Sequence, residues 1–409
     1  MARLINLLTI ILLFNLRSVA VNYYVSTTGS DSNDGTEKSP FLTISHAAEL
    51  VNPGDVVYVN AGNYPERVVI KKSGTSESSR ITFKASPRRG ATLSGFNLPG
   101  SYIRIEGFQI TNDLTGTAEN GINSSGTYNE IVDNYLYNVK KVAISSSGNN
   151  AYIADNKIYK IQMGIVTGGN NWVVEKNEIE RVFWYGTMGD ADYSRFFGEN
   201  GIIRKNFYHG STKEEKGVAH LDCFQTFDDG GTYFKNVTIE DNVCMDCDQG
   251  IMGEAHFSHI STNLVVKNNV FAHTNAWGIC IEDIDHVQVI NNTFYSAGVY
   301  GTGISGPYGT NGIIKNNIYM NNKERAYMLG DKSNTADYNL IFNCWKPIPQ
   351  SGPHDIVNTI EPLFINAAAN DFHPADNSPV IDAGDPSFPV PACGGKRIDI
   401  GAFEKCQDK

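Results

Sequence analysis

The fold is decided by a nine-residue frame, seen in TIEDNVCMD (residues 238–246) and again in VVKNNVFAH (265–273) and VINNTFYSA (289–297). Each copy has apolar residues, a polar pair that ends in asparagine, and apolar residues again. The asparagine recurs along the chain at Asn134, Asn156, Asn177, Asn206, Asn242, Asn269, Asn292 and Asn317. The intervals are 22, 21, 29, 36, 27, 23 and 25 residues. A period this short, with brief apolar runs, indicates a solenoid.

The repeat predicts an all-β, right-handed parallel β-helix. Leucine-rich repeats have a similar period, but they need leucine at fixed positions, and those leucines are absent. In a β-helix each coil contributes two or three short strands, stacked roughly 4.8 Å from the coil below. The recurrent asparagines should occupy equivalent turns, tolerate left-handed backbone there, and form a ladder.

The ends of the predicted solenoid need covers, because they expose strand edges and core. Residues 39–51 have a helical apolar pattern and are expected to form a short capping helix at the N-terminal end. The period is lost from about Asn334, so residues 334–409 are expected to form an irregular C-terminal cap. Residues 1–20 have an apolar run and a small-residue cleavage site, which are typical of a secretory signal peptide. We therefore expect one domain over residues 21–409, secreted or periplasmic.

Composition narrows the function classes. The formal net charge is −11 and no basic run occurs, which argues against nucleic acid and anionic membrane as partners. There are seven cysteines, so at least one thiol is free or linked to another chain. Cys393 and Cys406 flank a short tail and could pair. The motif CMDC (244–247) resembles half of a zinc site but has no second half, so buried cysteines are expected there.

The three longest intervals, after Asn177, Asn206 and Asn242, predict loops on adjacent coils that wall one groove. The first of these loops is rich in aromatic residues, including Trp184 and Tyr185. Aromatic rings beside a groove suit the apolar faces of sugars. Both residues are therefore candidate substrate contacts.

Two stretches in this region, DQGIMGEAHF (248–257) and AWGICIEDID (276–285), share the frame Gly-Ile-x-x-Glu. Aligning their glycines places Glu254 and Glu282 at one position of neighbouring coils, and strand alternation points both outward. Glycoside hydrolysis uses two carboxyl groups, one to protonate the leaving oxygen and one to attack or to activate water. We therefore expect Glu254 and Glu282 to be catalytic; two solvated surface glutamates are the alternative.

Other polar residues surround this pair in the sequence. Asp222, in HLDCFQ (220–225), is the third catalytic candidate, either as an orienting group or as a replacement partner. The remaining candidates are possible substrate contacts: His220, Gln225, Asp228, His256, Trp277 and Asp283.

The two ends of the chain carry the closest family resemblance. Residues 23–66 resemble the N-terminal region of secreted β-helix carbohydrate-active proteins, and residues 362–385 and 398–404 resemble their usual end. The β-xylosidases of glycoside hydrolase family 120 place two carboxylates where Glu254 and Glu282 stand. Polygalacturonase-type hydrolases are similar at Asp222 and Asp248, but Gln249 and Trp277 depart from their pattern.

Family 9 pectate lyases are the third resemblance, and they imply a different chemistry. Their calcium ligands resemble HLDCF (220–224) and CDQGIM (247–252), which would make Asp222 and Asp248 metal ligands here. Their lysine base has no clear counterpart, and Met252 replaces one ligand. The resemblances thus leave three functions: a hydrolase without a cofactor, a Ca²⁺-dependent lyase or epimerase, and a non-catalytic glycan-binding protein.

Charge favours the first of these functions. Residues 218–285 hold eleven acidic residues and only two lysines, Lys235 and Lys267. An acidic groove repels a polyuronate unless calcium bridges the two. We therefore expect a monomeric glycoside hydrolase that acts on a neutral or lightly charged polysaccharide or oligosaccharide.

Overall fold

The computed structural model describes residues 20–346, 348 and 351–406 of the 409-residue chain. Apart from Ala20, the predicted signal peptide lies outside the described residues. The described chain is a parallel β-helix, as predicted, in which successive coils add one strand to each of three stacks. We call these stacks faces A, B and C.

The N-terminal part starts the helix. It contains the strand Asn22–Val25, the α-helix Ile44–Leu50 and the long strands Val56–Val69 and Ile81–Leu98. The last of these pairs with the first strand of every face. The predicted capping helix is confirmed but shorter than 39–51, because the Thr43 side chain accepts a hydrogen bond from the His46 N–H and starts it there.

Face A runs in parallel register from strand to strand: Ile103–Glu106, Glu130–Val132, Tyr152–Ala154, Val173–Glu175, Ile202–Arg204, Phe234–Glu240, Thr262–Lys267, Asp285–Ile290, Ile313–Lys315 and Thr335–Asp337. A two-residue strand, Gly198–Glu199, pairs at its edge.

Face B follows in the same way: Gln109–Ile110, Tyr135–Tyr137, Lys157–Ile161, Glu178–Val182, Phe207–His209, Val243–Met245, Val270–Ala272, Thr293–Tyr295, Ile318–Met320, Leu340–Phe342 and Ile356–Val357.

Face C is the one that carries the candidate site: Ile122–Ser124, Val142–Ser146, Met163–Thr167, Ser194–Phe196, Asp222–Phe227, Gln249–Glu254, Ile279–Glu282, Thr302–Ser305 and Tyr327–Leu329. The remaining short elements are Glu77–Ser79, Asn112–Leu114, Lys213–Lys216, Phe364–Asn366, Ala367–Ala369 and Asp371–Pro374.

The interior is filled by columns of apolar side chains that stack from coil to coil. Phe271, Phe294 and Tyr319 form one such column, with ring centroids 5.4 and 4.8 Å apart. Burial of each large side chain stabilises the fold by about 1.5–3 kcal/mol. Because every coil repeats this burial, the columns hold neighbouring coils in register.

The predicted asparagine ladder is present and fully buried. The backbone N–H and Nδ2 of Asn242 both donate to Oδ1 of Asn269 at 2.9 Å, and Nδ2 also donates to the Ile203 carbonyl. The same pattern links every recurrent asparagine from Asn134 to Asn317 and continues to Asn339, whose N–H donates to Asp355. The ladder therefore satisfies the buried backbone at the bend between faces A and B.

The expected backbone conformation of these asparagines was wrong. The residue with positive φ is the one before each, such as Asp133 (57°), Asp241 (57°) and Asn268 (57°). The ladder asparagine must point inward to reach the next coil, so the residue before it makes the left-handed bend. An exposed column of asparagines, which includes Asn200, Asn236 and Asn263, links the coils at another bend.

The C-terminal segment differs from the expected end cap. Ordered coils continue past Asn334, and the chain then returns along the outside of face B. Phe372 packs against Met245 and Val270, and Ile400 packs against Ile318. The segment is fixed by the Gly401 N–H, which donates to the Asn316 carbonyl, and by the Cys393–Cys406 disulfide, the pairing expected from the sequence.

The other cysteines are buried, as expected. Cys223 and Cys244 form a disulfide across the interior, and the Cys247 sulfur lies 3.5 and 3.6 Å from their sulfurs. Cys247, Cys280 and Cys344 are free thiols.

Candidate active site

The register of face C confirms the sequence alignment of its coils. The strand Gln249–Glu254 pairs with Ile279–Glu282, which places Met252 opposite Cys280 and Glu254 opposite Glu282. The preceding strand, Asp222–Phe227, pairs so that Phe227 stands opposite Glu254. The two glutamates are therefore neighbours on adjacent coils, near 4.8 Å apart along the backbone.

Strand alternation exposes both glutamates on the outer surface. Ile251, Ile279 and Ile281 are fully buried on the inner side. The side chains of Glu254 and Glu282 retain 38% and 37% exposure. Both carboxylates are thus open to a ligand in the groove while their strands are held by the core.

His256, two residues beyond the strand that carries Glu254, joins the two carboxylates. Its Nε2 lies 3.7 Å from Glu254 Oε1 and 3.4 Å from Glu282 Oε2. Its Nδ1 lies 3.0 Å from Asp283 Oδ2. The hydrogen bond with Asp283, followed by the negative charge of the two glutamates, raises the pKa of His256 above its ordinary value. An imidazolium here offsets the repulsion between Glu254 and Glu282.

Asp283 is fixed as a support for this histidine. Its Oδ1 accepts a hydrogen bond from the Tyr308 N–H at 3.1 Å, and its Oδ2 faces His256. Burial raises the pKa of Asp283, but the hydrogen bonds from His256 and the Tyr308 N–H outweigh burial, and the net pKa is lowered. Asp283, predicted as a substrate contact, thus holds His256 instead of facing the groove alone.

Asp222 belongs to a second polar cluster at the other edge of face C. It is five residues upstream of the position that pairs with Glu254, roughly 16 Å along an extended strand. The structure therefore does not bring Asp222 into contact with either glutamate. It pairs instead with Gln249 across the strands, and Gln225 Nε2 donates to it at 3.4 Å.

This second cluster contains buried oxygen atoms without donors. Asp222 is fully buried, and Oδ1 of Asp222 and Oε1 of Gln225 and Gln249 have no hydrogen-bond partner among the described residues. His220 Nδ1 stands 3.4 Å from Asp222 Oδ1, at ion-pair distance but without hydrogen-bond geometry, and His220 Nε2 is 3.1 Å from Gln249 Nε2. The adjacent Asp222 carboxylate raises the pKa of His220 to about 9, and burial raises that of Asp222.

Three charged residues at this edge were not among the candidates predicted from the sequence. Asp192 is fully buried and accepts a hydrogen bond from the Asp222 N–H at 3.0 Å. Arg195 donates to Asp192 at 2.6 Å and to Asp190 at 2.7 Å, and its side chain stands beside Gln225 on the next coil. The pairing of Arg195 with Gln225 could not be read from the sequence, because Arg195 lies in the 29-residue interval between Asn177 and Asn206, outside the stretches that were aligned on their glycines.

Lys216 is the third missed residue. The short helix Lys213–Lys216 begins with a capping box formed by Thr212 and Glu215, and it carries Lys216 to Asp248. The Lys216 Nζ lies 2.8 Å from Asp248 Oδ2. A lysine therefore does stand at this edge, although the sequence offered no counterpart for one.

Of the two proposed calcium ligands, Asp248 is already fully engaged by protein donors, whereas Asp222 is not. Asp248 Oδ2 already accepts from Lys216 and from the Leu221 N–H, and Oδ1 accepts from Asn275. Calcium needs six to eight oxygen ligands. Asp248 is thus saturated by protein donors, whereas Asp222 Oδ1 and the side-chain oxygens of Gln225 and Gln249 have no donor among the described residues and are open to a cation.

The cluster of Glu254, His256 and Glu282 is close enough for a metal, since one ligand atom from each lies within 4.8 Å of the others. An imidazole is a poor ligand for calcium, which prefers oxygen. Carboxylate with imidazole suits transition metals such as zinc. The donor set thus does not match the calcium expected for a pectate lyase.

The other predicted contacts have varied surroundings. Asp228 is buried and its Oδ2 accepts from the Ser258 hydroxyl and the Ser258 and His259 N–H groups, so it joins two loops. The Trp277 ring packs at a tilt against Tyr300, with centroids 4.5 Å apart, and remains partly exposed. Trp184 and Tyr185 pack at the opposite edge, where the Trp184 N–H donates to the Glu215 carbonyl and the Tyr185 hydroxyl to the Lys160 carbonyl.

Two sets of loops flank face C, as expected from the long intervals. Residues 183–193 and 210–221 precede its strands, and residues 228–233 and 255–261 follow them. Ser258 donates hydrogen bonds to Asp228, which joins the loop 228–233 to the loop 255–261. The outer surface of face C is thus the floor of a groove that crosses several coils, with the glutamate pair at one side.

Among the described residues, no helix is long and apolar enough to cross a membrane. Residues 23–177 match the family model described as Pel9A-like, right handed beta helix region, and residues 260–361 match a second model, right handed beta helix region. Both models describe the architecture seen here.

The chain is also similar in sequence to known proteins. Pectate lyase L of Dickeya chrysanthemi is 23% identical over 429 aligned positions, which cover 94% of this chain and 90% of that protein. The uncharacterized protein YwoF of Bacillus subtilis is 32% identical over 139 residues, and this match spans 29% of each chain.

Solved structures show the same fold. Pectate lyase Pel9A has a TM-score of 0.59 and 18% identity, covering 95% of this chain and 97% of that one. A complex of XylC with xylose has a TM-score of 0.55 and 13% identity, covering 84% and 87%. The chain is thus a right-handed parallel β-helix that is similar in sequence and fold to pectate lyases.

Proposed function

We propose that the protein is a glycoside hydrolase that acts outside the cytoplasm on polysaccharide, with Glu254 and Glu282 as its catalytic carboxyl groups. The observation that carries this proposal is their pairing across adjacent coils, with His256 between them. A glycan-binding protein without activity needs no such convergence of two carboxylates on one point in the groove.

The spacing of the two carboxyl groups favours retention of configuration. The nearest oxygens of Glu254 and Glu282 lie within 4.8 Å of each other. Retaining glycosidases hold their carboxyl groups about 5–5.5 Å apart, whereas inverting enzymes need about 6.5–9.5 Å to admit a water molecule. We therefore propose a double displacement.

In the first step one glutamate attacks the anomeric carbon, the glycosidic C–O bond breaks, and the other glutamic acid protonates the leaving oxygen. In the second step the glutamate that gave up its proton takes a proton from water. The water oxygen attacks the anomeric carbon, and the bond between the sugar and the attacking glutamate breaks. The net reaction consumes one water for each bond cleaved.

His256 has a positioning role in this proposal. Its imidazolium lies within 4 Å of both carboxylates and is itself held by Asp283. A fixed positive charge keeps the two glutamates together when no substrate separates them.

A polysaccharide lyase is the second candidate. The full-length similarity to pectate lyase L favours it, as do Lys216 and Arg195 at the other edge of the groove. Both cations are engaged by aspartates, and the expected calcium ligand Asp248 is saturated. For these reasons we propose the lyase only as the second candidate.

Product mass separates the two reactions. The protein is incubated with a panel of plant and algal glycans, with and without EDTA, and the products are analysed by mass spectrometry. Hydrolysis predicts products that gain one water per cleavage and an activity that EDTA leaves intact. Unsaturated uronate products and loss of activity with EDTA would establish the lyase instead, and binding without any cleavage would establish the non-catalytic function.

A further inference from the structure

A second cleft lies on face C, further toward the N-terminal end of the β-helix than the glutamate pair. Its volume is about 400 Å³. The floor is made by Ser145 and Ser147 on one coil and by Gly168 and Asn170 on the next, and the walls by Phe197 and Tyr233. No part of the proposed reaction uses these residues.

The cleft is continuous with the groove of the candidate active site. Ser145 pairs with Val166, Val166 with Arg195, Arg195 with Gln225 and Gln225 with Met252, which is one column of face C. The neighbouring column ends in Phe227 and Glu254. The rings of Phe197 and Phe227 touch, with centroids 5.0 Å apart, so the cleft begins two coils from Glu254.

The distance between the two sites follows from the coil spacing. The floor of the cleft lies on the coils three and four steps before that of Glu254, which is roughly 14–19 Å away at about 4.8 Å per coil. A ligand that reaches both must lie along the axis of the β-helix. It must also be several sugar units long.

The lining of the cleft has no charged side chain. It consists of hydroxyl groups, an amide, glycine backbone and two aromatic rings. Neither the Ser145 nor the Ser147 hydroxyl makes a hydrogen bond to another described residue, so both are free to bind sugar hydroxyls. Aromatic rings with a few polar groups are typical of sugar sites.

The cations Arg195 and Lys235 stand near the cleft, but neither lines it. Arg195 is held by Asp190 and Asp192. Lys235 lies 5.5 Å from the Tyr233 ring centroid, and Glu199, which accepts from the Tyr233 hydroxyl at 3.0 Å, is its cross-strand partner. A uronate carboxylate in the cleft would lose its hydration with no cation among the lining residues to replace it, which is costly.

We infer that this cleft binds an uncharged sugar unit of the substrate, so that the protein acts on a neutral polysaccharide that lies across at least four coils. The inference rests on the proposed function for the position of cleavage. The cleft itself is independent of cleavage and can be tested by binding alone.

Gly168 offers a matched pair of variants. A Cβ there would meet no atom closer than 3.9 Å, so a side chain is accommodated at the floor of the cleft. Gly168→Trp should fill the cleft, and Gly168→Ala is the control. Both are made in the full chain, alone and in combination with Glu254→Gln to prevent turnover.

Isothermal titration is carried out with neutral hexasaccharides of xylose, glucose and galactose, with the matching disaccharides, and with hexagalacturonate. We expect one neutral hexasaccharide to bind, and Gly168→Trp to weaken that binding by at least ~10-fold, about 1.4 kcal/mol. Gly168→Ala should bind nearly as the parent does. Equal affinity of the Trp and Ala variants for every hexasaccharide would overturn the inference, as would a preference for hexagalacturonate.

The outcome is separable from that of the proposed function. If Gly168→Trp weakens neutral hexasaccharide binding but no glycan is hydrolysed, the inferred sugar binding in the cleft is supported and the hydrolase proposal fails. If glycan is hydrolysed through Glu254 and Glu282 while Gly168→Trp and Gly168→Ala bind and cleave long substrate equally, the cleft inference fails and the hydrolase stands.

Discussion

Glu254 is the cross-strand partner of Glu282 on the next coil, and both carboxylates stand within 4 Å of His256. A β-helix fixes such a pair with unusual rigidity, because each strand is hydrogen-bonded to coils on both sides. The distance between the two carboxyl groups is therefore set by the backbone and only adjusted by side-chain rotation.

The first prediction concerns turnover. Glu254→Gln and Glu282→Gln keep the side-chain shape and remove the ionisable group, so each should lower turnover by at least ~10²-fold, the lower range for general acid–base catalysis. The melting temperature should change little, since both side chains are half-exposed. Activity is measured by release of reducing ends.

Two comparisons make this test specific. Glu180→Gln, on the outer surface of face B, should keep normal activity. Asp222→Asn should lose less activity than either glutamine variant, because Asp222 lies at the other edge of face C. If both glutamine variants keep near-normal rates while Asp222→Asn is inactive, catalysis belongs to the cluster around His220 and Asp222.

The second prediction concerns the charge of His256. Asp283 is the largest cause of its raised pKa, so Asp283→Asn should lower that pKa and let the imidazole lose its proton at a lower pH. The titration is followed by the NMR signal of the His256 ring, assigned with His256→Gln. An unchanged midpoint in Asp283→Asn would contradict the contact.

The third prediction concerns stability and pH. The folded pKa of His220 is about 9, above its ordinary value of 6.5. The native state therefore binds this proton more tightly, and its stabilisation is fully present below about pH 6.5 and lost as the pH rises through 9. His220→Gln should be less stable than the parent near pH 6, and the difference in melting temperature should shrink toward pH 9.5. A difference that grows with pH would refute the ion pair with Asp222.

The fourth prediction concerns the buried ladder. Asn242→Ala removes a side chain that joins two coils and leaves buried polar groups without partners, at about 1–3 kcal/mol each. The urea midpoint should fall by the equivalent of about 2–3 kcal/mol. The control is Asn236→Gly in the exposed column, where glycine keeps the left-handed backbone (φ 56°) and the loss should stay within about 0.5 kcal/mol. Equal losses at the two positions would show that burial of the ladder is unimportant.

Much of this architecture follows from local sequence. The asparagine period predicts the solenoid because each coil repeats one bend, and the glycine alignment predicts the pairing of Glu254 with Glu282 because strands on one face share a register. The left-handed bend was assigned to the wrong residue, because periodicity marks a turn without saying which of its residues turns.

The less predictable features depend on contacts between distant segments. Arg195 and Asp192 follow a loop whose length breaks the period, so their register with Asp222 could not be counted from the sequence. Lys216 reaches Asp248 only because a short helix forms within another such loop. The course of the C-terminal segment likewise depends on an apolar strip that no single repeat reveals.

That strip sets an order of events when the chain is made. Coils can stack one after another as they leave the ribosome, since domains form from the N-terminal end onward. Met245 and Val270, however, are exposed to solvent until Phe372 is synthesised and packs against them, and Phe372 is at least a hundred residues later in the chain. A nascent chain that stops before that point exposes an apolar strip on the outside of face B, and such exposed patches promote aggregation. The C-terminal segment therefore protects the completed coils from aggregation.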